Sequence, residues 1–219
     1  MIENILEVAK HNHKIMDLLS SCPLFILERM QVCNFSVGKF KLMQEKRYDF
    51  TYIIVSGQVK IFLLSTSGKS VVLDIYESGM LIGEQEAIID KPYSASVLNI
   101  TDVTLLKMSN LDFKRWAACD NSFANKLIHN LSSQIYNLTQ KTERYSLYSA
   151  MEQIIALLLQ ANNNKTITRE ALTYEVDTSY RNINRILKKL IDLKAINLVD
   201  GKINILDRKL IEQLFWKNN

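Results

Sequence analysis

Residues 166–190 read TITREALTYEVDTSYRNINRILKKL. The stretch predicts two short helices meeting at a tight turn. Thr168 is placed to cap the first, with Glu170 and Ala171 in its first turn, and Ala171, Leu172 and Val176 supply apolar contacts at helical spacing. Asp177 stands where that helix must end, and Asp tolerates a left-handed turn better than most residues. Thr178 or Ser179 can cap the second helix. There Ile183, Ile186, Leu187 and Leu190 recur at i, i+3, i+4 and i+7, which makes one apolar face. Arg181, Asn182 and Arg185 come from the other side, with Lys188 and Lys189 near the C-terminus. Arg and Asn form bidentate contacts with base edges, and Lys suits phosphates. The pattern is that of a helix-turn-helix on duplex DNA. The plainer alternative is a helical hairpin with a solvated basic face.

Downstream, Ile196 to Val199 and Lys202 to Leu206 predict two short strands around Asp200-Gly201, a strong two-residue hairpin turn. Such a wing beside a recognition helix places Lys202 near the adjacent phosphates. Asp207 is positioned to cap a last helix carrying Leu210, Ile211, Leu214 and Phe215. Upstream, the polar run Asn162 to Lys165 ends a helix whose apolar positions are Leu147, Met151, Ile154, Ile155, Leu158 and Leu159. Gln140 to Arg144 is a polar hinge candidate. Before it, Ala124, Leu127, Ile128, Leu131, Ile135 and Leu138 form one stripe on a long helix. A stripe of that length must be buried. A second copy of the helix is the expected partner, since a two-fold dimer places two DNA readers on a palindromic site. The alternative is that the stripe packs on its own N-terminal domain.

The first hundred residues have a different texture. Residues 2–19 predict one amphipathic helix, with His11 and His13 in a surface patch around Asn12. Pro23 precedes a short helix from Leu24 to Met30. Then short β-prone runs alternate with turns: Tyr52–Val55, Val59–Leu64, Val71–Ile75, Ala95–Leu98 and Val103–Met108. Thr66 to Lys69 predicts a hairpin loop, and Leu81 to Ile89 a short helix or loop inserted between strands. Evenly spaced strands with Gly turns imply a small barrel or sandwich, with room for an internal pocket beside the insert.

Composition is consistent with two folded domains. The chain has 219 residues, 47% hydrophobic and 23% charged, which argues against disorder. Its formal charge of +4 is uneven: residues 141–219 hold 13 Lys or Arg and nine Asp or Glu, while residues 1–140 hold 14 of each. The whole excess lies with the expected DNA reader, where it steers toward phosphate. The longest apolar run, Ile154 to Leu159, is six residues, far short of a membrane span. With no signal-peptide pattern and with Cys22, Cys33 and Cys119 in no pair or metal spacing, a cytoplasmic chain is expected, without metal, cofactor or membrane contact. No metal triad, P-loop, nucleophile motif or acid–base carboxylate pair is present, so an enzyme is not expected.

The order of parts resembles the CRP/FNR family of bacterial transcription regulators, over nearly the whole chain. The carrying motifs are Ile53-Ile54-Val55-Ser56-Gly57-Gln58-Val59-Lys60, Ile82-Gly83-Glu84, Ile167-Thr168-Arg169 and Arg185-Ile186-Leu187-Lys188. Each is short; the four in this order are specific, and the YeiL-like branch looks nearest. The resemblance implies an α+β chain. Residues 1–109 would be a cyclic-nucleotide-binding-like β-roll, residues 110–140 a dimerisation helix, and residues 141–219 a winged helix-turn-helix. It implies a homodimer on double-stranded DNA, RNA polymerase as a further partner, and a small-molecule effector sensed in the roll.

The departures from the family matter as much. Members that bind cyclic AMP follow the insert's Gly-Glu with an Arg-Ser pair, Glu holding the ribose and Arg the cyclic phosphate. This chain keeps Gly83-Glu84 but has Tyr93-Ser94, and tyrosine cannot neutralise a phosphate. Lys91 would reach a different depth. Gly83, Glu84, Tyr93 and Ser94 are therefore a weak effector pocket, with Glu84 expected to hydrogen-bond within the insert. The three cysteines lack the clustering that iron–sulfur ligation needs. They are expected to be buried small hydrophobes, with thiol redox sensing left open. His11, His13 and His129 give no support for haem. In the reading helix, members with the best-known half-site carry Arg-Glu in the first turn and a further Arg; here the positions are Tyr180, Arg181 and Arg185, and only Arg185 matches. Arg181, Asn182 and Arg185 are expected at bases, with Thr178, Ser179, Tyr180, Lys188 and Lys202 on the backbone. The effector, the half-site and the choice between activation and repression stay open. The competing reading is a sensory module whose helical C-terminal region contacts proteins and not DNA.

Overall fold

The computed structural model describes residues 2–10, 12–66, 70–161, 167–176 and 178–216. They form two compact units, Met1–Ile135 and Tyr136–Asn219. Asp177, Thr166, the run Asn162 to Lys165, His11 and positions 67–69 of the expected hairpin loop lie outside the described residues.

The first unit runs α1 (Ile2–Lys10), α2 (His13–Leu19), α3 (Leu24–Leu27), β1 (Gln31–Phe35), β2 (Lys41–Leu42), β3 (Phe50–Ser56), β4 (Val59–Leu64), β5 (Ser70–Tyr76), β6 (Leu81–Ile82), α4 (Glu84–Ile89), β7 (Ser96–Asn99), β8 (Val103–Ser109), α5 (Asn110–Cys119) and α6 (Asn121–Leu147), the last crossing the division. Its strands make two four-stranded antiparallel sheets, ordered β1-β8-β3-β6 and β2-β7-β4-β5. Successive residues of a strand point to opposite faces, and β3 uses both. Ile53 and Val55 enter a core shared with the helices, while Tyr52 and Ile54 enter the interior of the roll. Its neighbour β8 alternates likewise, with Leu106 and Met108 on the helix side and Val103 and Leu105 inside. A strand buried on both faces reads as a continuous apolar run, which is why Tyr52–Val55 was legible.

The expected helix over 2–19 is two helices. Asn12 breaks it: its Oδ1 accepts from the N–H groups of Lys14 and Ile15, capping α2. Its Nδ2 donates to the Val55 carbonyl at 2.9 Å and to Ser78 Oγ at 2.6 Å. A second break falls at Asp120, between α5 and α6. Asp120 Oδ1 accepts from the N–H groups of Ser122 and Phe123, and Oδ2 from Trp116 Nε1 and Ser21 Oγ. Burial opposes ionisation of this carboxyl, but those hydrogen bonds outweigh it and lower its pKa. The helical core also holds Trp116 stacked on Phe123, with ring centroids 3.7 Å apart.

The second unit contains the end of α6, then α7 (Ala150–Gln160), β9 (Ile167–Thr168), α8 (Arg169–Glu175), α9 (Tyr180–Asp192), β10 (Ile196–Val199), β11 (Lys202–Ile205) and α10 (Arg208–Trp216). A Ser149–Glu152 capping box starts α7, and Leu147, expected within that helix, is instead the exposed last residue of α6. The hinge candidate over 140–144 is helical. Lys141 and Arg144 lie on α6, and both reach Glu175 of α8 at 3.5 Å. The unit's core gathers Ile154, Ile155 and Leu158 of α7 with Leu172, Val176, Ile183, Ile186, Leu187 and Leu190. The sheet order is β10-β11-β9, so the wing gains a third strand that sequence periodicity did not reveal, because β9 is two residues long. Asp200 and Gly201 both have positive φ, 51° and 75°, as a two-residue primed turn requires. Asp207 Oδ1 accepts from the Leu210 N–H, capping α10.

Candidate nucleic-acid interface and effector cavity

Two caps fix the helix-turn-helix. Thr168 Oγ1 accepts from the Ala171 N–H at 3.1 Å to start α8, and Ser179 Oγ accepts from the Asn182 N–H at 3.2 Å to start α9. Ser179, not Thr178, is the cap of α9. Ile183, Ile186, Leu187 and Leu190 are all buried, so they fix the rotation of the helix about its axis. At 3.6 residues per turn, Arg181, Arg185 and Lys188 then fall on one line along the opposite side. All three are exposed, as are Lys189, Tyr180 and Lys202 at the wing. Among the described residues no carboxylate pairs with Arg181, Arg185, Lys188 or Lys202. Asn182 is committed locally. Its Nδ2 donates to Thr178 Oγ1 at 2.9 Å, and its Oδ1 accepts from Arg185 Nη2 at 2.8 Å. It therefore holds the Arg185 guanidinium, with one N–H and one acceptor position of its amide still open. Thr178 is half-buried and serves as an acceptor in that network.

In the first unit, Gly83, Glu84, Tyr93 and Ser94 come together as the lining of one cavity of about 50 Å³, with Ile61, Tyr76, Ile82, Gln85, Glu86, Ala95 and Val97. That is well below the ~300 Å³ of a typical small-molecule pocket. Gly83 caps α4 with φ 84°, and a Cβ there would collide with Tyr93 Oη. Glu84 is 2% exposed. Burial pushes its carboxyl up to about 7, partly opposed by hydrogen bonds from its own backbone N–H and from Gln134. Gln134 Nε2 donates to Glu84 Oε1 at 3.3 Å, and Gln85 Nε2 donates to Gln134 Oε1 at 2.6 Å. Glu84 thus bonds within the insert, to its own backbone N–H and to Gln85, as expected, and it also reaches α6 through Gln134. Gln134 was not anticipated. The signal was present: it follows Leu127 and Leu131 at i+7 and i+3, a polar residue on an otherwise apolar line.

The cavity does not suit a cyclic phosphate. Among the described residues no Lys or Arg lines it, and Lys91 is exposed. Ser94, which the family would turn toward phosphate, donates from its N–H and Oγ to Glu86 Oε1 at 3.1 and 2.7 Å. An anion would meet two carboxyls and no cation.

The α6 stripe divides. Leu127 is 5% exposed and faces the core of its own unit, where Leu131 packs beside it, so Leu127 is corrected from a free face to a core position. Ile128, Ile135 and Leu138 are 61%, 66% and 51% exposed, as is Tyr136 at 66%, and Ala124 is intermediate. The cysteines are not uniformly buried either. Cys119 is exposed and Cys22 and Cys33 are half-buried; burial, with Asp120 and Cys119 nearby, pushes the Cys22 thiol up to about 12. His13 and His129 are exposed. Among the described residues no cluster of three or more His, Cys, Asp or Glu could hold a metal ion, and no helix is long and apolar enough to cross a membrane.

Comparison with known proteins bears on the fold. Residues 33–118 match the family described as "Cyclic nucleotide-binding domain". The cyclic AMP receptor protein of Thermus thermophilus is 22% identical over 174 residues, 74% of this chain and 78% of that protein. Patatin-like phospholipase domain-containing protein 6 of Pongo abelii is 28% identical over 106 residues, 48% of this chain but only 8% of that protein, so that similarity is confined to a domain. Among solved structures, CooA of Carboxydothermus hydrogenoformans superposes with TM-score 0.73 at 14% identity, covering 96% of this chain and 95% of CooA. A CRP/FNR-family transcriptional regulator from Eubacterium rectale gives 0.63 at 18% identity, covering 88% and 92%. Residues 33–118 are therefore similar to cyclic nucleotide-binding domains, and the chain has the fold of solved CRP/FNR-family transcription regulators.

Proposed function

We propose that this chain is a sequence-specific DNA-binding transcription regulator, acting as a homodimer on a palindromic site, with its roll as the effector domain. The observation that carries this is α9: a capped helix whose basic line, opposite its buried face, meets no carboxylate among the described residues, followed by a wing with an exposed lysine. Arg181 and Arg185 face base edges in the major groove, and Asn182 holds Arg185 in place. Ser179, Tyr180, Lys188 and Lys202 contact the sugar–phosphate backbone, with Thr178 anchoring Asn182. The exposed Ile128, Ile135 and Leu138 meet their counterparts on a second copy. RNA polymerase is a further partner in this reading. A helix that docks on a protein groove presents apolar anchors at i, i+3 and i+7; the outer face of α9 presents cations, which favours DNA.

The test is a salt titration of binding to a palindromic duplex selected from a random pool. Two lysines per protomer near phosphate (Lys188 and Lys202) give four per dimer, and a slope of log K against log salt of about −4. A folded dimer that binds no duplex at about 50 mM salt overturns the proposal.

A further inference from the structure

The roll cavity has a polarity that a nucleotide pocket would not have. Its lining holds the carboxyls of Glu84 and Glu86 and the phenols of Tyr76 and Tyr93, and no cationic side chain among the described residues. Tyr93 is 4% exposed, and its hydroxyl has no hydrogen-bond partner among the described residues. That hydroxyl lies against Gly83, at the foot of Glu84. A buried hydroxyl without a partner and a buried carboxyl without a counter-charge are both costly. A ligand that brings N–H donors and positive charge relieves both; an anion aggravates both. The volume of about 50 Å³ limits the ligand to a few heavy atoms. Ile61, Ile82 and Val97 supply an apolar wall for a short carbon stem.

We propose that the roll cavity binds a small primary ammonium cation, held between the Glu84 carboxylate and the Tyr93 hydroxyl, and that Gln134 relays its presence to α6. This rests on reading the roll as the effector domain and names the ligand class. The ammonium donates to Glu84 and to Tyr93 Oη. Glu86, which also accepts from Ser94, supplies a second negative charge at the rim. Gln134 donates to Glu84 while accepting from Gln85. Charge fixed on Glu84 strengthens that donation and ties the α4 insert to α6, since hydrogen bonds to ionised acceptors are the stronger kind. Burial holds the Glu84 carboxyl near 7, so a proton competes with the ligand. The groups facing Glu84 are Glu86 on α4, Tyr76 on β5, Tyr93 ahead of β7 and the uncharged Gln134 on α6.

The experiment is calorimetric titration and thermal unfolding of the full chain with methylammonium chloride at about pH 8, against sodium chloride of equal ionic strength and against cyclic AMP. Expected is saturable binding of one methylammonium per chain, a rise in Tm beyond that in sodium chloride, and at least a tenfold loss of affinity in both Glu84→Gln and Tyr93→Phe. Tyr93→Phe loses no hydrogen bond to the described residues, so it reads out the site independently of any change in stability in Glu84→Gln. No methylammonium effect beyond sodium chloride overturns the inference. So does binding unchanged in Tyr93→Phe, or cyclic AMP binding that is lost in the same variants. DNA binding is measured separately. A chain that binds DNA but not methylammonium refutes this inference alone, and one that binds methylammonium but not DNA refutes only the regulator reading.

Discussion

Replacing Glu84 by glutamine should make the protein more stable at alkaline pH and leave it almost unchanged at acid pH. The carboxyl is buried and rises from the ordinary 4.5 to about 7. The native state therefore keeps a proton that the unfolded chain gives up above about pH 4.5, and stability falls as pH rises from there to about 7. Above the folded value that contribution is fully lost. A difference of about 2.5 units is worth roughly 3 kcal/mol. The substituted amide is neutral throughout, and its oxygen can still accept from Gln134. At about pH 5 the variant should match the parent to within about 1 kcal/mol; at about pH 8 it should exceed it by roughly 3 kcal/mol. The assay is urea unfolding in amine-free sodium buffers, in a Trp216→Phe background. There Trp116, buried and stacked on Phe123, reports on the first unit. A stability difference that stays constant between these two pH values would refute the reasoning. One that favours the parent at alkaline pH would show that Glu84 is ionised and paired in the native state.

Arg185→Ala should relax base discrimination by about 1–3 kcal/mol per half-site, and Asn182→Ala should show part of the same loss because it frees the Arg185 side chain. Competition binding against single-base variants of the selected site checks both. Ile135→Glu puts a charge in the middle of the exposed α6 face and should weaken self-association by roughly 2 kcal/mol or more per side. A variant that sediments as an unchanged dimer moves the interface elsewhere. Asp120→Ala removes the cap of α6 and leaves the buried Trp116 N–H without its acceptor, at a cost of roughly 2–3 kcal/mol. Its lowered carboxyl contributes stability above the unfolded pKa and loses it as pH falls through the folded one. The acid limb of the stability curve should therefore flatten in Asp120→Asn.

Much of the fold was legible because it is repetitive. The apolar line Ile183, Ile186, Leu187, Leu190, the caps Thr168 and Ser179, and the Asp200-Gly201 turn are local features, and local features leave local patterns. What escaped were interactions set by distant residues. Asn12 splits the first helix because its amide finds Val55 and Ser78, 43 and 66 positions away in sequence. Asp120 ends α5 while bonding to Ser21. The two-residue strands β2, β6 and β9 are too short to show a period and exist through their pairing. At the candidate site, the swap of Arg for Tyr93 was visible from sequence. The link from Glu84 to Gln134 was not, since it joins residues 50 apart.

The two-faced burial of β3 has a consequence for how the first unit comes apart. Its odd positions Ile53 and Val55 belong to the helical core, and its even positions Tyr52 and Ile54 belong to the roll. Neither core can open without removing half of the strand's neighbours from the other. The helices and the roll should therefore melt as one cooperative foldon. The amides of Tyr52 to Val55 should be among the last in this unit to exchange with deuterium, with protection approaching its global unfolding free energy. Any signal that reshapes the cavity would then move across a rigid wall and not through a soft one.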